Sequence, residues 1–220
     1  MINLINYLRF LKFSTTPKPV VPTDMISEER FVQLTAVVID NFEGGYYHPD
    51  MKIPMSLENQ KKLGDSGETM FGLDRKYGSA LSVYPEWAFF WAIVDEARAR
   101  YKWKHYYRGG PVEPRLKELA ALIMFRWFSQ LFHRHLTQKA QQAVINDDRL
   151  IIHFSYASWN GEGWFKLFAL ALNNAVNGNF SEEVIFQKAI VARTNAGNSV
   201  IRQQGARMLA LFKKMQTSNG

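Results

Sequence analysis

Residues 27–46 read SEERFVQLTAVVIDNFEGGY, and this stretch decides the fold. Ser27 is a favourable N-cap, and the two glutamates that follow it suit the positive end of a helix dipole. Apolar residues then recur every three to four positions, which indicates one buried helix face. These residues are Phe31, Leu34, Val38 and Phe42. Because glycines after a helical pattern mark its end, the sequence predicts a helix that carries Glu43 at its C-terminal end.

Most of the remaining chain is also predicted to be helical. Residues 44–77 are an exception, because they are rich in Gly, Pro, Asp and Ser without a helical period, which favours loop with a short β-hairpin. Pro85 suits the first position of a following helix. Residues 114–145 are apolar on all sides, which is typical of one long buried helix or two. We therefore predict a mostly α fold (α+β), a helical bundle around a central buried helix with a small loop or β-hairpin lobe.

Composition limits the class of protein. The chain has 220 residues, of which 47% are hydrophobic and 14% aromatic, which is enough to bury a large core and excludes a disordered chain. It has no cysteine, so disulfides and thiolate metal sites are excluded. A net charge of +7 favours an anionic partner, such as nucleic acid, anionic lipid or a wall polymer. No apolar run reaches the roughly 18 residues that a membrane span needs.

The N-terminal residues form a segment apart from the body. Residues 1–13 have helically spaced apolar positions, which predicts a helix that packs on the body or contacts a membrane or partner surface. Basic residues interrupt this run and no small-residue cleavage site follows, so it is not a secretory signal. Residues 14–24 hold three prolines and are typical of a linker. The predicted organisation is an amphipathic segment with its linker, residues 1–24, followed by one folded domain, residues 25–220.

Glu43 has the position of a catalytic acid. The carbonyl end of a helix disfavours a carboxylate, which is expected to raise its pKa, and neighbouring Phe42, Tyr46 and Tyr47 are expected to desolvate it in the same direction. A carboxyl that stays protonated near neutral pH can protonate a leaving oxygen, as glycoside hydrolysis requires. The alternative is a solvated carboxylate at a helix end. The pattern favours a general acid.

Residues 65–73, DSGETMFGL, offer the groups that such an acid needs beside it. Its glycines, among them Gly72, allow the backbone to approach a ligand closely. A glycoside hydrolase also needs a second group that holds or activates water, or stabilises the oxocarbenium-like state. Asp65, Glu68 and Thr69 are the candidates for that second catalytic role.

Several motifs together resemble glycoside hydrolase family 108, the N-acetylmuramidases of phages and bacteria. Residues 43–46, Glu-Gly-Gly-Tyr, resemble the family's motif of the same sequence. Residues 66–73, SGETMFGL, resemble its Gly-Gly-x-Thr-x-x-Gly-Ile segment, with Ser for the first Gly and Leu for Ile. Tyr106-Tyr107 lies where the family tends to have Tyr-Trp, and residues 160–163 resemble its Asn-x-Gly turn.

The resemblance implies a lysozyme-like domain that cleaves the β-1,4 bond between N-acetylmuramic acid and N-acetylglucosamine in bacterial peptidoglycan. Glu43 is then the general acid, and Thr69, helped by Glu68 or Asp65, orients the attacking water. One alternative is a lytic transglycosylase on the same fold, which uses Glu43 as acid and base. A further alternative is a non-catalytic virion or structural protein that binds the wall.

Aromatic side chains are the expected platforms for the sugar rings. The predicted substrate contacts are Tyr46, Tyr47, Gly72, Tyr106, Tyr107 and Asn160. The alternative for the tyrosines is core packing, and for Asn160 a helix cap. Residues 98–108 interleave basic and aromatic residues, a pattern that suits single-stranded nucleic acid or an anionic glycan. We expect the glycan, and no nucleic acid.

We predict neither a metal nor another cofactor. His133 and His135 lie about 200° apart around a helix, so one ion cannot easily take both. The resemblance implies a phage-type monomer that is found in the host bacterial cytoplasm before lysis, or in the virion. It acts on the wall in the periplasm, with residues 1–13 in contact with a membrane or a virion.

Overall fold

The computed structural model describes residues 26–43, 46–47, 68–75, 80–101 and 112–218, and within these ranges the chain forms eight helices and one small sheet. The helices are α1 (Glu28–Asn41), α2 (Pro85–Tyr101), α3 (Glu113–His135), α4 (Gln138–Asn146), α5 (Asp148–Trp159), α6 (Glu162–Val176), α7 (Glu182–Thr194) and α8 (Ser199–Ser218). The strands are β1 (Tyr46–Tyr47), β2 (Thr69–Met70) and β3 (Leu73–Asp74). The predicted mostly α fold with a small β-hairpin is confirmed. The amphipathic segment and linker predicted for residues 1–24 lie outside the described residues.

The helix starts follow the capping residues of the sequence. The Ser27 hydroxyl accepts a hydrogen bond from the Arg30 amide at 3.2 Å and so caps α1, as predicted. Pro85 is the first residue of α2. The long apolar stretch is two helices, because Leu136 leaves the helical conformation and the Thr137 hydroxyl caps α4. Local capping chemistry therefore positions most helix ends in this fold.

Helix α3 lies at the centre of the core. It packs against α1, α2, α5 and α6, and ten of its side chains are buried, in agreement with the predicted central helix. The rings of Phe31 from α1 and Phe165 from α6 both contact Phe128 of α3, with centroids 4.7 and 6.2 Å away. Full burial of such a ring is worth roughly 1.5–3 kcal/mol. This cluster therefore holds α1 and α6 on the same central helix.

Helices α1 and α5 run parallel, so that their C-terminal ends lie together. Near their starts, Arg30 donates to Asp148 at 2.6 Å. Halfway along, the hydroxyls of Thr35 and Ser155 are hydrogen-bonded at 2.7 Å in the core. Phe42, which follows α1, stacks on the ring of Tyr156 near the end of α5. This alignment brings Glu43 to the end of α5.

The small lobe is a three-stranded antiparallel sheet in the order β1-β2-β3. Thr69 pairs with Tyr47 on one side and with Asp74 on the other. A two-residue turn, Phe71-Gly72, joins β2 to β3, and both residues have positive φ (49° and 71°). Positive φ at both central positions is the requirement of a tight type I′ hairpin turn.

The helices in the described ranges are all too short or too polar to cross a membrane.

Candidate active site

Three chain segments meet at Glu43: the end of α1, the β2–β3 turn and the end of α5. A Cβ atom placed on Gly72 would lie 2.2 Å from Oε2 of Glu43 and 2.7 Å from Cδ1 of Trp159. The carboxyl and the indole therefore both lie against the backbone of Gly72, and Glu43 is half-buried there. The sequence predicted that Glu43 and the glycine-containing segment form one site, and the structure brings them into contact.

The turn against Glu43 is held from the helical side. The indole Nε1–H of Trp159 donates to the carbonyl oxygen of Phe71 at 2.8 Å. The backbone at Phe71 has a left-handed conformation that residues other than glycine rarely adopt. The side chain of Phe71 is only 2% exposed, and its burial stabilises this conformation. Residue 72 carries the tighter constraint, since its φ is also positive and any side chain there would overlap the Glu43 carboxyl. Burial of Phe71 and the Trp159 hydrogen bond therefore fix the turn relative to the acid.

Aromatic packing lies behind Glu43. The ring of Phe42 stacks on Tyr156 of α5 with centroids 4.7 Å apart. Tyr156 is 2% exposed. Burial raises the pKa of its phenol, and the negative charge of Glu43 raises it further. The phenol therefore stays neutral at physiological pH and lies within electrostatic range of Glu43.

Arg193 of α7 is the residue of this region that the sequence did not indicate. Its side chain is fully buried, and its guanidinium lies over the ring of Tyr156, 4.8 Å from the centroid. Desolvation lowers the pKa of Arg193 to about 9, while its electrostatic interactions with Tyr156 and Glu43 oppose that shift. A basic residue in the last turn of a helix normally offsets the helix dipole at the surface, so its position carried no sign of burial.

Asn160 holds Arg193. Its side-chain oxygen accepts from Nη1 of Arg193 at 2.8 Å, and Asn160 also follows the last residue of α5 as its C-cap. Asn160 was predicted as a substrate contact with a helix cap as the alternative, and the structure places it as a cap that also binds the arginine.

Glu68 belongs to an ion-pair network between the hairpin and α2. Its two carboxylate oxygens accept from Arg75 at 2.7 Å and from Arg98 at 3.0 Å. Arg75 also forms two 2.7 Å bonds with Asp95, which lower the pKa of that carboxyl. The network ties the hairpin to α2, because Arg75 follows β3 and both Asp95 and Arg98 lie on α2. Its geometry fits a structural anchor better than a water-activating base.

The other predicted site residues have different outcomes. Thr69 lies in β2 next to the turn and is 6% exposed, so it belongs to the same hairpin as Gly72. Tyr46 and Tyr47 form β1, whose backbone pairs with β2. The predicted catalytic Asp65 and the predicted sugar contacts Tyr106 and Tyr107 lie outside the described residues. Within the described ranges, no cluster of three or more His, Asp or Glu side chains has a metal-binding arrangement.

Comparison with protein-family models, with curated proteins and with solved structures finds no match for this chain. The functional assignment therefore depends on the residues and geometry of the site.

Proposed function

We propose that this chain is a peptidoglycan hydrolase that cleaves the β-1,4 bond between N-acetylmuramic acid and N-acetylglucosamine, with Glu43 as the general acid. One observation carries the proposal: the carboxyl of Glu43, which lies two residues past the end of α1 and not within the helix as predicted, lies directly against the Gly72 turn of a small β lobe. An acid between a helical body and a glycine turn is suited to protonate a glycosidic oxygen that enters along the turn. The resemblance to family 108 muramidases adds the substrate class.

The reaction adds water across the glycosidic bond. Glu43 gives its proton to the leaving oxygen as the bond to the anomeric carbon breaks. A water molecule adds its hydroxyl to that carbon, and its remaining proton restores the acid form of Glu43. Thr69 is proposed to orient this water, since its strand leads into the turn that contacts the acid. No cofactor is required.

A lytic transglycosylase is the second candidate, and the surroundings of Glu68 favour it. Both carboxylate oxygens of Glu68 bind arginines, so this residue is poorly placed to act as the second carboxylate of a hydrolase. A transglycosylase needs only Glu43, which first protonates the leaving oxygen and then accepts the proton of the muramic 6-hydroxyl. That hydroxyl attacks the anomeric carbon, and the product is a 1,6-anhydro ring.

The first experiment compares the wild type with Glu43→Gln on purified peptidoglycan. Muropeptides are analysed by mass spectrometry before and after borohydride reduction. Asp40→Asn is the matched control, because Asp40 is an exposed carboxylate three residues earlier on α1, paired with Lys117. We expect reducible N-acetylmuramic ends from the wild type and Asp40→Asn, and none from Glu43→Gln.

The other outcomes separate the candidates. Anhydro-muramic products that depend on Glu43 would identify a transglycosylase. Wall binding without any product, from walls of several chemical types, would reject the enzyme and support a non-catalytic virion or structural role. Products that persist in Glu43→Gln would remove Glu43 from the mechanism.

The proposal extends to the place of action. A phage-type enzyme is made in the host cytoplasm and reaches the periplasmic wall on lysis, or enters with the virion. Co-sedimentation with purified virions, compared with lysed-cell supernatant, distinguishes the two routes.

A further inference from the structure

The ring of Tyr156 contacts both the guanidinium of the buried Arg193 and the ring of Phe42, the residue before Glu43, and Arg193 interacts electrostatically with Glu43. In the described part of the chain, Arg193 has no carboxylate among its hydrogen-bond partners. Arg193 donates to the side-chain oxygens of Asn160 and Gln204, at 2.8 and 3.1 Å, and to the carbonyl of His153 at 3.3 Å. All three acceptors belong to neutral groups. A second ring, that of Phe168, lies 4.5 Å from the guanidinium carbon. The site is therefore built to enclose the whole guanidinium and not only its alkyl stem.

A fully buried charge is costly unless an opposite charge compensates it. Among the described residues, Arg193 of α7 and Tyr156 of α5 interact electrostatically with Glu43, and Arg207 of α8 interacts with Tyr156. Arg207 is exposed, lies over the Phe42 ring at 5.2 Å and donates to the Asn41 carbonyl. Since the phenol of Tyr156 stays neutral, Glu43 is the group able to balance the buried Arg193.

We propose that Arg193 is a positioning residue for Glu43, whose buried positive charge holds the carboxyl against the Gly72 turn and sets the pH at which it loses its proton. This inference rests on the proposed function for its catalytic meaning, but its electrostatic content is independent of substrate. The attraction opposes the effect of the helix end, which alone disfavours a carboxylate at Glu43. An acid balanced in this way is ionised more readily than the helix end alone predicts.

The test is a titration of Glu43 by NMR in the full chain. Glutamate carboxyl carbons are labelled with carbon-13, and the Glu43 resonance is identified by its absence from Glu43→Gln. In Arg193→Met the unbranched apolar stem is largely kept and the charged guanidinium is removed, while Arg207 stays in place. We expect the Glu43 midpoint to rise by about 1 pH unit or more in Arg193→Met, and to stay nearer the wild-type value in Arg193→Lys.

Arg149→Met is the matched control for lost packing. Arg149 also lies over a ring, 4.1 Å from the centroid of Phe186, but its ion-pair partners are Asp147 and Glu183. We expect this variant to leave the Glu43 titration unchanged. An unchanged midpoint in Arg193→Met, or an equal shift in Arg149→Met, would overturn the proposal.

Enzyme kinetics supply the second readout. The alkaline limb of the kcat/KM profile should move to higher pH in Arg193→Met by the same amount as the NMR midpoint, which lost packing alone does not produce. If the chain cleaves no peptidoglycan, the NMR result still decides the role of Arg193. A shifted midpoint without activity would reject the muramidase and retain the pairing.

Should Arg193→Met fail to fold, Glu43→Gln still tests the pairing. At a helix C-terminus, loss of a carboxylate should raise stability or leave it unchanged. If Glu43 balances Arg193, its neutralisation should instead lower the urea midpoint at pH 7. A midpoint that rises or stays constant would contradict the inference.

Discussion

Replacement of Gly72 by alanine should displace Glu43, the proposed general acid, while leaving the fold intact. The added Cβ would lie 2.2 Å from Oε2 of Glu43 and 2.7 Å from Cδ1 of Trp159, whereas real Cβ contacts are essentially never shorter than 3.0 Å. The Glu43 carboxyl therefore has to retreat by about 1 Å. It is the far end of a flexible side chain, so it moves more easily than the indole of Trp159, which also has to shift by a few tenths of an ångström.

The expected magnitudes differ for stability and for activity. Alanine at a φ of +71° costs roughly 1–2 kcal/mol, and the reduced freedom of the unfolded chain returns about 0.4–1 kcal/mol. We therefore expect a net loss of about 1 kcal/mol in the free energy of unfolding. A displacement of about 1 Å at a catalytic group can cost on the order of 100-fold in rate. Activity should thus fall far more than the folded fraction.

The assay measures kcat/KM on purified peptidoglycan beside urea unfolding of the same samples. Gly161→Ala is the matched control, because Gly161 also has a positive φ, +93°, but no atom lies within 4 Å of the added Cβ. We expect the control to lose comparable or greater stability and to keep its activity. Full activity in Gly72→Ala, or equal activity losses in both variants, would refute the contact between the turn and the acid as a catalytic requirement.

Three further predictions concern the supports of the site and the core. Trp159→Phe removes the donor to the Phe71 carbonyl and should cost about 1–3 kcal/mol, with faster amide exchange in the turn as the direct readout. Glu68→Gln should lower stability by about 1–2 kcal/mol, since the two arginines that bind its carboxylate are each about a third exposed. Its kcat should stay within tenfold of the wild-type value. A loss of activity as complete as in Glu43→Gln would instead make Glu68 catalytic. His153 is fully buried, and desolvation holds its pKa well below 6.5. As the pH falls below about 6.5, the unfolded state therefore binds a proton that the folded state does not. Stability should therefore decline by up to about 1.4 kcal/mol per pH unit below that point. His153→Phe should remove this part of the slope in urea unfolding measured from pH 8 to 5. A substitution of the exposed His133 should not remove it.

The helical frame could be predicted because its signals are local. A side-chain cap such as Ser27 or Ser181 acts on amides two or three residues away, so sequence spacing is enough to recognise it. The Ser27 hydroxyl accepts the predicted hydrogen bond from the Arg30 amide, and the Ser181 hydroxyl accepts the same type of bond from the Val184 amide. The division of the long apolar stretch into α3 and α4 was left open. Burial on all sides conceals a short break from any periodicity argument.

Long-range electrostatics could not be predicted in the same way. Arg193 lies 150 positions after Glu43, and its burial depends on how α5, α7 and α8 pack around Tyr156. Within its own helix it resembles an ordinary basic residue near a C-terminus. The raised pKa expected for Glu43 was derived from the helix end and from the neighbouring aromatic residues, and an opposing charge on a distant helix was not visible in the local sequence.

The contrast between Glu43 and Glu68 shows how one structural fact decides between two acids that look equally suited in sequence. Both precede or lie among glycines, and both were candidates for chemistry. Two guanidinium groups bind the Glu68 carboxylate directly, which leaves few lone pairs for a water molecule. Glu43 instead lies against the backbone of Gly72, and Arg193, its proposed counter-charge, donates its own hydrogen bonds to neutral oxygens. The direct arginine contacts of Glu68 therefore favour a role in anchoring the hairpin, and the contact with the Gly72 turn makes Glu43 the candidate acid.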